Sequence, residues 1–317
     1  TPDFAVPTLL ALKESKHQVI AVVTQPDKPK GRGKEMQPPP VKIAAAEAGI
    51  PVFQPVKVWE EAFVNQIKEW EPDAIIVAAF GQLLPKAILE IPKYGCINVH
   101  ASLLPKYRGA APIQYAVING EKASGVTAMY MEEGLDTGDI LKQKEIALEE
   151  KETGDSLHNK LAILGGELIL SVLEELENGT AIRIPQKDEE ACYVKMLKKE
   201  MGHINFAMPA LQIERLIRGL NSWPSAYTYM NGKTLKIWEA DVLEEEYQGE
   251  AGEIVGITKE QVLVKTGKGT LSLKQVQLEG KKRMEISAFL RRSAGYGRYR
   301  ICPVRRAGQL YLPQRLS

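Results

Sequence analysis

The sequence predicts an α/β protein in two parts, a parallel sheet with helices on both faces followed by a small β-barrel. Up to about residue 204, short apolar runs alternate with helical segments, which is the pattern of strand–helix–strand units. Beyond that point, short strands follow one another between glycine turns, which is typical of a barrel. We therefore expect a first domain over 1–180, a linker over 181–204, a barrel domain over 205–291 and an atypical arginine-rich tail over 292–317.

Composition narrows the class of protein. The chain has 317 residues, 44% of them hydrophobic and 26% charged, and its net charge is +1. These values are ordinary for globular domains, and the length suits about two of them. Cys96, Cys192 and Cys302 are far apart, so neither a disulfide framework nor a zinc site is indicated, and a reducing cytoplasm fits best. We find no signal peptide and no apolar run of membrane-spanning length, so we expect no membrane association.

The predicted elements of the first part follow from periodicity. Continuous apolar runs such as Val19–Thr24 and Ala74–Ala79 read as buried strands, and apolar residues three to four apart read as helices. Asp3 is a candidate N-cap for the first helix, and Asn178-Gly179 is a stop signal for the last. Helices are predicted over 4–14, 41–48, 59–70, 85–90 and 156–177, and strands over 19–24, 52–53, 74–79, 96–100, 125–131 and from 140 onward.

The second part begins with a helix predicted over 210–220, which stops at Asn221-Ser222-Trp223-Pro224. Short strands then follow at regular spacing, which favours a barrel. These strands are predicted over 226–230, 234–239, 252–257, 261–265 and 270–276.

Two polar residues mark the predicted strand Cys96–His100. Side chains alternate along a strand, so Asn98 and His100 share one face while Ile97 and Val99 point to the other. A buried parallel strand normally carries apolar residues on both faces, and ligands bind at the carboxyl ends of such strands. The pair therefore predicts a site rather than a buried polar pair satisfied by the backbone.

A third polar residue comes from the run Gly134–Asp139. Asp136 is there either an ordinary turn residue with an Asx cap or a member of the site, and the residues alone leave both open. Together with Asn98 and His100 it suits acyl transfer. The amide of Asn98 and the ring of His100 can donate to a developing oxyanion, while Asp136 can fix the tautomer of His100 and hold its charge.

No covalent nucleophile is evident. Cys96 shares the face of Asn98 and His100, but nothing marks it as an activated thiolate, and a buried cysteine usually acts as a small hydrophobe. Ser102 lacks a nucleophile-elbow pattern. Direct attack by a substrate amine needs no nucleophile from the protein, so we favour it over a covalent mechanism. The histidines are scattered without ligand spacing, so we expect no metal.

The loop predicted over 25–34 is rich in glycine, proline and lysine and contains Gly31-Arg32-Gly33-Lys34. It is too short and wrongly placed for a phosphate-binding P-loop. It is either a flexible surface loop or a basic finger on nucleic acid, in which Arg32 donates to base edges or phosphates.

The three runs Asn98–Pro105, Tyr107–Pro112 and Gly134–Asp139 together resemble the 10-formyltetrahydrofolate-dependent formyltransferase family. The resemblance runs from Thr1 to about Arg291, and within the family it favours the members that formylate methionine carried by initiator tRNA. It implies a Rossmann-like parallel-sheet formyltransferase domain followed by a small OB-fold-like β-barrel domain that contacts tRNA. The implied enzyme is a cytoplasmic monomer that acts in translation initiation with 10-formyltetrahydrofolate as cosubstrate and methionyl initiator tRNA as partner.

The resemblance also implies roles for individual residues. Asn98, His100 and Asp136 correspond to the family's catalytic trio. The family's folate-binding turn falls on Ser102, Leu103, Leu104 and Pro105. The loop with Arg32 and Lys34 matches a segment that approaches the acceptor stem of the tRNA.

Alternatives stay open at this point. They are a formyltransferase or hydrolase that uses 10-formyltetrahydrofolate with another acceptor, and a non-catalytic RNA-binding OB-fold protein. The sequence departs from the family at both ends. The strand and glycine that precede Thr1 in the family are absent, for which we expect a truncation. After Arg291 the pattern is lost, as a frameshift would produce, although an RNA-binding arm is the other reading.

Overall fold

The computed structural model describes residues 3–30 and 35–293, and these residues form two compact units. The first unit comprises the chain up to Ile113 together with Lys122–Leu148 and Ser156–Lys195. The second comprises Gln114–Glu121, Glu149–Asp155 and the described residues from Met196 onward. The domain boundaries expected from the sequence stay a prediction.

The described elements alternate in the first unit and become mostly strands in the second. The helices are α1 (Ala5–Glu14), α2 (Pro40–Glu47), α3 (Glu61–Trp70), α4 (Lys86–Leu89), α5 (Pro112–Ile118), α6 (Gly154–Glu177), α7 (Ala210–Gly219) and α8 (Ile286–Ser293). The strands are β1 (Val22–Val23), β2 (Lys28–Lys30), β3 (Glu35–Gln37), β4 (Val52–Phe53), β5 (Ile75–Val77), β6 (Cys96–His100), β7 (Arg108–Gly109), β8 (Ala123–Tyr130), β9 (Ile140–Ala147), β10 (Tyr193–Val194), β11 (Ala226–Met230), β12 (Lys233–Leu243), β13 (Ile254–Ile257), β14 (Val262–Lys265), β15 (Thr270–Leu278) and β16 (Met284–Glu285).

Six of the eight described helices form where the apolar spacing predicts them, whereas α5 and α8 were not predicted. In α3, Phe63, Val64 and Ile67 make one buried face. Lys68 in its last turn has the sign that the helix dipole favours at that end. The predicted capping role of Asp3 is wrong, because α1 starts after Phe4 without a side-chain cap and the Asp3 carboxylate instead lies 3.3 Å from His158 Nε2.

The first unit contains parallel strand pairs, as the sequence predicts. β1 pairs in parallel with β4, and β5 pairs in parallel with β6. The sheet then continues with two antiparallel strands, in the order β5-β6-β8-β9. The apolar residues between α3, α4, β5 and β6 make a core cluster that supports the amino-terminal end of β6.

Two predicted strands are shorter than expected. Residues 18–23 and 72–78 line a common cavity of about 680 Å³, together with apolar residues of α1, α3 and α6. Only the parts of the two runs that pair with β4 or β6 form strands, namely Val22–Val23 and Ile75–Val77. Among the described residues, the backbone of 19–21 lines the cavity and pairs with no strand, although the N–H of Thr24 still donates to the carbonyl of Phe53. The apolar pattern therefore overpredicts the length of these strands.

Helix α6 packs directly on the strand that carries the polar pair. A Cβ atom added at Gly165 would lie 2.8 Å from Cγ1 of Val99, which is shorter than side chains tolerate. Glycine at this position therefore lets α6 approach β6 closely. This contact buries Val99 on one face of β6 and leaves the opposite face, with Asn98 and His100, for the site.

The second unit is an antiparallel β domain, as predicted. Its strands follow the order β11-β12-β15-β14-β13, and β16 pairs with the outer part of β15. Ile213 and Ile217 of α7 are fully buried in the same core as Val264 and Leu271 of the sheet.

The predicted loop 25–34 is framed by a hairpin. β2 and β3 pair antiparallel, and Pro29 lies opposite Met36. Arg32 and Lys34 lie outside the described residues, so the hairpin defines where their loop starts and ends but not how their side chains are placed.

Candidate active site

Strand β6 places Asn98 and His100 at its carboxyl end. Asn98 lies opposite Val77 on one side and Met129 on the other, and His100 lies opposite Thr127. Both neighbouring strands hold β6 in register, so the two side chains are fixed relative to one another. Asn98 is half-buried, and within the described part of the chain its carboxamide makes no hydrogen bond.

The ring of His100 is buried and held from a loop that follows β6. Its Nε2 atom lies 3.0 Å from the carbonyl oxygen of Tyr107. A carbonyl oxygen only accepts, so Nε2 carries the proton in this contact. The sequence predicts that Asp136 fixes the tautomer of His100. The structure gives that role to the backbone of Tyr107, which adopts a left-handed conformation with φ of 61°.

Asp136 lies on the other side of the ring. Its Oδ2 atom is 3.8 Å from Nδ1 of His100, and both side chains are about nine-tenths buried. This distance is too long for a hydrogen bond, and the two groups form an ion pair only when the ring is protonated. The same Oδ2 accepts a 2.8 Å hydrogen bond from the N–H of Gly109, so the carboxylate is anchored independently of the histidine. The structure therefore brings His100 and Asp136 together.

The turn Ser102–Pro105 is fixed through its backbone. Thr127 donates its hydroxyl to the carbonyl of Ser102 and accepts the N–H of Leu104. Gln143 donates to both the carbonyl of Leu104 and the hydroxyl of Thr127. Since these four bonds leave the turn little freedom, its shape is set before any ligand arrives.

The side chains of this turn differ in what they can contact. Ser102 is buried and donates its hydroxyl to the carbonyl of Lys106, and Leu104 is buried as well. Leu103 and Pro105 are half-buried. Of the four predicted cofactor-binding residues, these two therefore have side-chain surface left for a ligand.

Cys96 does not belong to the site. Its side chain packs in the apolar cluster at the amino-terminal end of β6, with Sγ 3.8 Å from the carbonyl of Ile88. Burial raises the pKa of the Cys96 thiol to about 12, so the thiol is neutral at physiological pH. This agrees with the reading that no covalent nucleophile is present at this strand.

The base of the hairpin β2–β3 is tied to the sheet by polar side chains. Lys42 Nζ donates to both oxygens of Asp27 and to Oε1 of Gln54. Gln54 donates in turn to Oδ1 of Asp27 and to the carbonyl of Gln25. These hydrogen bonds hold the pKa of the Asp27 carboxyl below its ordinary value.

Three contributors to the site were missed from the sequence. The carbonyl of Tyr107 and the N–H of Gly109 act through the backbone, which no residue type reveals. Gln186, which is bonded to the carbonyl of Asp136, lies in the stretch read as a linker. The run Tyr107–Pro112 is one of the three motifs of the family resemblance, and it is the one feature of the sequence that points to these contacts.

Within residues 3–30 and 35–293, no group of three or more His, Cys, Asp or Glu side chains is arranged to hold a metal ion. In the same residues, no helix has the length and apolar character needed to cross a membrane.

Comparisons with known proteins agree with the resemblance seen in the sequence. A family model described as "Formyl transferase" matches residues 1–173, and one described as "Formyl transferase, C-terminal domain" matches residues 196–294. The methionyl-tRNA formyltransferase of Agathobacter rectalis is 56% identical over 291 residues, which is 92% of this chain and 94% of that protein.

Solved structures share the fold at lower identity. The N-formyltransferase from Helicobacter canadensis, in complex with folinic acid and dTDP-3-aminofucose, superposes with a TM-score of 0.62 at 20% identity, over 86% of this chain and 96% of that chain. HypX from Aquifex aeolicus, in complex with tetrahydrofolic acid, gives a TM-score of 0.57 at 21% identity, over 80% of this chain. This chain spans 44% of the length of HypX. These likenesses concern the fold alone.

Proposed function

This chain belongs to the formyl transferase family, and we propose that it transfers a formyl group from 10-formyltetrahydrofolate to the α-amino group of methionine on initiator tRNA. The observation that carries the proposal is the proximity of His100 and Asp136 beside Asn98, whose carboxamide makes no hydrogen bond within the described residues. The identity to curated methionyl-tRNA formyltransferases over nearly the whole chain supports this choice of acceptor.

The proposed reaction starts with attack by the amine. An α-amine has a pKa near ~8, so a useful fraction is uncharged at neutral pH. Its nitrogen attacks the formyl carbon and forms a C–N bond, and the formyl oxygen takes up negative charge. The N–H groups of Asn98 point from a fixed strand and donate to this oxygen. A donor of this kind, placed before the reaction begins, stabilises the tetrahedral intermediate without a cost of reorganisation.

Proton movement then completes the transfer. The attacking nitrogen must lose a proton, and the N10 nitrogen of the folate must gain one when its bond to the formyl carbon breaks. Nε2 of His100 is committed to Tyr107, so Nδ1 is the ring nitrogen that exchanges a proton. Asp136 lies next to Nδ1 and accepts or supports that proton after a shift of about 1 Å.

Folate and tRNA are proposed to bind on separate elements. The turn Ser102–Pro105 contacts the folate through its backbone and through Leu103 and Pro105, because these are the accessible parts of a rigid turn. Arg32 and Lys34, in the loop carried by β2 and β3, contact the acceptor end of the tRNA through phosphates and base edges. The OB-fold-like second domain supplies further tRNA contact.

We further propose that the chain acts as a cytoplasmic monomer. The substrate is a component of translation, and Cys96 and Cys192 are free cysteines in the structure. Light scattering coupled to size exclusion tests the oligomeric state directly, and a dimer at micromolar concentration would overturn that part of the proposal.

The decisive assay measures formyl transfer to methionyl initiator tRNA with 10-formyltetrahydrofolate as donor. Uncharged tRNA, methionyl elongator tRNA and glycinamide ribonucleotide are the control acceptors. We expect product only with the charged initiator. A folded protein, as judged by circular dichroism, that formylates another acceptor or only hydrolyses the donor would contradict the proposed function.

A further inference from the structure

Arg108, in the middle of the Tyr107–Pro112 motif, has no role in the reaction described above, although its side chain is only 1% exposed. A buried guanidinium is costly unless its donors are paired. Nε and Nη2 donate to Oε1 of Gln186 at 3.0 and 2.9 Å, and Nη1 donates to the hydroxyl of Tyr193 at 3.0 Å. Nη2 also lies 2.9 Å from the carboxylate of Asp188. Arg108 is therefore a rigid anchor.

Gln186 connects Arg108 to the segment that contains Asp136. Its Nε2 atom donates to the carbonyl of Asp136 at 2.9 Å and to the carbonyl of Gly138 at 2.7 Å. A carboxamide has two N–H donors and one carbonyl oxygen that accepts twice. Arg108 occupies the oxygen and the two carbonyls occupy the N–H groups, so every hydrogen-bonding position of Gln186 is used.

The segment that Gln186 holds is under conformational constraint. Asp136 has a φ of 55°, in the left-handed region that residues other than glycine rarely adopt. Such a conformation persists only where surrounding contacts determine it. The two bonds from Gln186 act on both sides of residue 137, so they hold the backbone that aims the Asp136 carboxylate at His100.

We propose that Gln186, locked in place by Arg108, is a positioning residue that sets the distance and direction between the Asp136 carboxylate and Nδ1 of His100. The inference rests on the proposed function, because it concerns the same site. It adds Gln186, a group whose hydrogen bonds are made within the protein and that lies outside the motifs of the family resemblance.

The short strand β7 and the residue before it make hydrogen bonds to both His100 and Asp136. Tyr107 binds the ring of His100 through its carbonyl, and Gly109 binds the carboxylate of Asp136 through its N–H. Arg108, between them, holds Gln186. The consecutive residues Tyr107, Arg108 and Gly109 thus hold His100, Gln186 and Asp136, respectively. A shift of Gln186 therefore moves Asp136 relative to His100, which Tyr107 keeps in place.

The variant Gln186→Met tests the proposal, because methionine keeps a similar volume without the hydrogen bonds. We expect kcat for formyl transfer to fall about 10- to 100-fold, since small displacements of reacting groups cost this much. KM for both substrates should change by no more than about threefold, because ground-state binding does not use Asp136. Gln66→Met, on α3 of the first unit, is the control variant and should retain full kcat.

A double-mutant cycle distinguishes positioning from general stability. In an Asp136→Asn background, Gln186→Met should lower kcat by less than about twofold, because the group it positions no longer acts. A loss of the same factor in both backgrounds would overturn the proposal, as would an unchanged kcat in the Gln186→Met single variant. If Gln186→Met does not fold, Gln186→Glu takes its place in the same cycle, since it keeps the acceptor for Arg108 and removes the two donors.

The test also separates failure of the inference from failure of the proposed function. If the unmodified protein formylates no methionyl initiator tRNA, the proposed function has failed. If the unmodified protein is active and the cycle is additive, only the role of Gln186 has failed.

Discussion

The Nε2 atom of His100 lies 3.0 Å from the carbonyl oxygen of Tyr107. This contact decides the chemistry of the ring, since it places a proton on Nε2 and leaves Nδ1 to face Asp136. In a Ser-His-Asp triad the carboxylate orients the histidine. Here a backbone carbonyl contacts the ring instead, and in the proposed mechanism the Asp136 carboxylate takes part in proton transfer.

Asn98 is expected to act as an oxyanion donor. Asn98→Asp keeps the shape of the side chain and removes its N–H donors, so kcat should fall about 10²- to 10³-fold with little change in KM for either substrate. The assay is steady-state formylation of methionyl initiator tRNA. Asn178→Asp, at an exposed position after α6, is the matched control. A kcat within threefold of the unmodified protein would remove Asn98 from the mechanism.

Cys96 is expected to stay unreactive while the protein is folded. Because burial raises the pKa of its thiol to about 12, almost no thiolate is present between pH 7 and about 8.5. Iodoacetamide at pH 8 should modify the exposed Cys192 and leave Cys96 unmodified until denaturant is added, as peptide mass spectrometry will show. Cys96→Ala should retain kcat. Loss of activity in a folded Cys96→Ala protein would point instead to a covalent intermediate.

The hydrogen bonds of Asp27 predict a dependence of stability on pH. Lys42 and Gln54 lower the pKa of Asp27 below its ordinary value of 3.8, so the folded state favours the ionised carboxylate. The stabilisation is complete above the unfolded pKa and is lost as the pH falls through the lower folded pKa. The Tm of the unmodified protein should therefore exceed that of Asp27→Asn at pH 6.

The same difference in Tm should shrink as the pH is lowered from 4 towards 2.5, measured by thermal denaturation followed by circular dichroism. Asp73→Asn, for which the structure shows no side-chain ion pair in the described residues, serves as the control variant. If the difference in Tm between the unmodified protein and Asp27→Asn increased as the pH fell, the result would contradict a stabilising role of the ionised Asp27 carboxylate.

Gly109 is expected to be required for both stability and activity. Its φ is 107°, and an added Cβ would lie 2.4 Å from the carbonyl oxygen of Val194 in β10. Gly179 also has a positive φ, 68°, but nothing lies within 4 Å of an added Cβ. Gly179→Ala should therefore cost only the conformational penalty of about 1–2 kcal/mol.

Gly109→Ala should cost about 1–3 kcal/mol more than Gly179→Ala, because strand β10 must also move. Urea denaturation gives both values. Gly109→Ala should in addition lower kcat, since the N–H of Gly109 binds Asp136. Equal free energies of unfolding for the two variants would mean that β10 shifts without cost.

Much of the fold could be predicted because its signals are local. The apolar spacing in α3 and the stop at Asn178-Gly179 are set by neighbouring residues, and the structure places both elements as expected. Strand lengths were less predictable. Val19–Ala21 has the composition of a strand, but backbone pairing depends on a partner distant in sequence, and the structure pairs only Val22 and Val23.

The order of residues alone places Asn98 and His100 on one face of a short strand, because the alternation of side chains along a strand is a property of the backbone. It also indicated Asp136 as a third member through a motif. Which nitrogen of His100 carries the proton, and how Asp136 is held, follow from contacts in the folded protein that the sequence does not show. Both depend on contacts of Tyr107, Gly109 and Gln186, which form where segments distant in sequence pack together. No local sequence pattern encodes the geometry of such contacts.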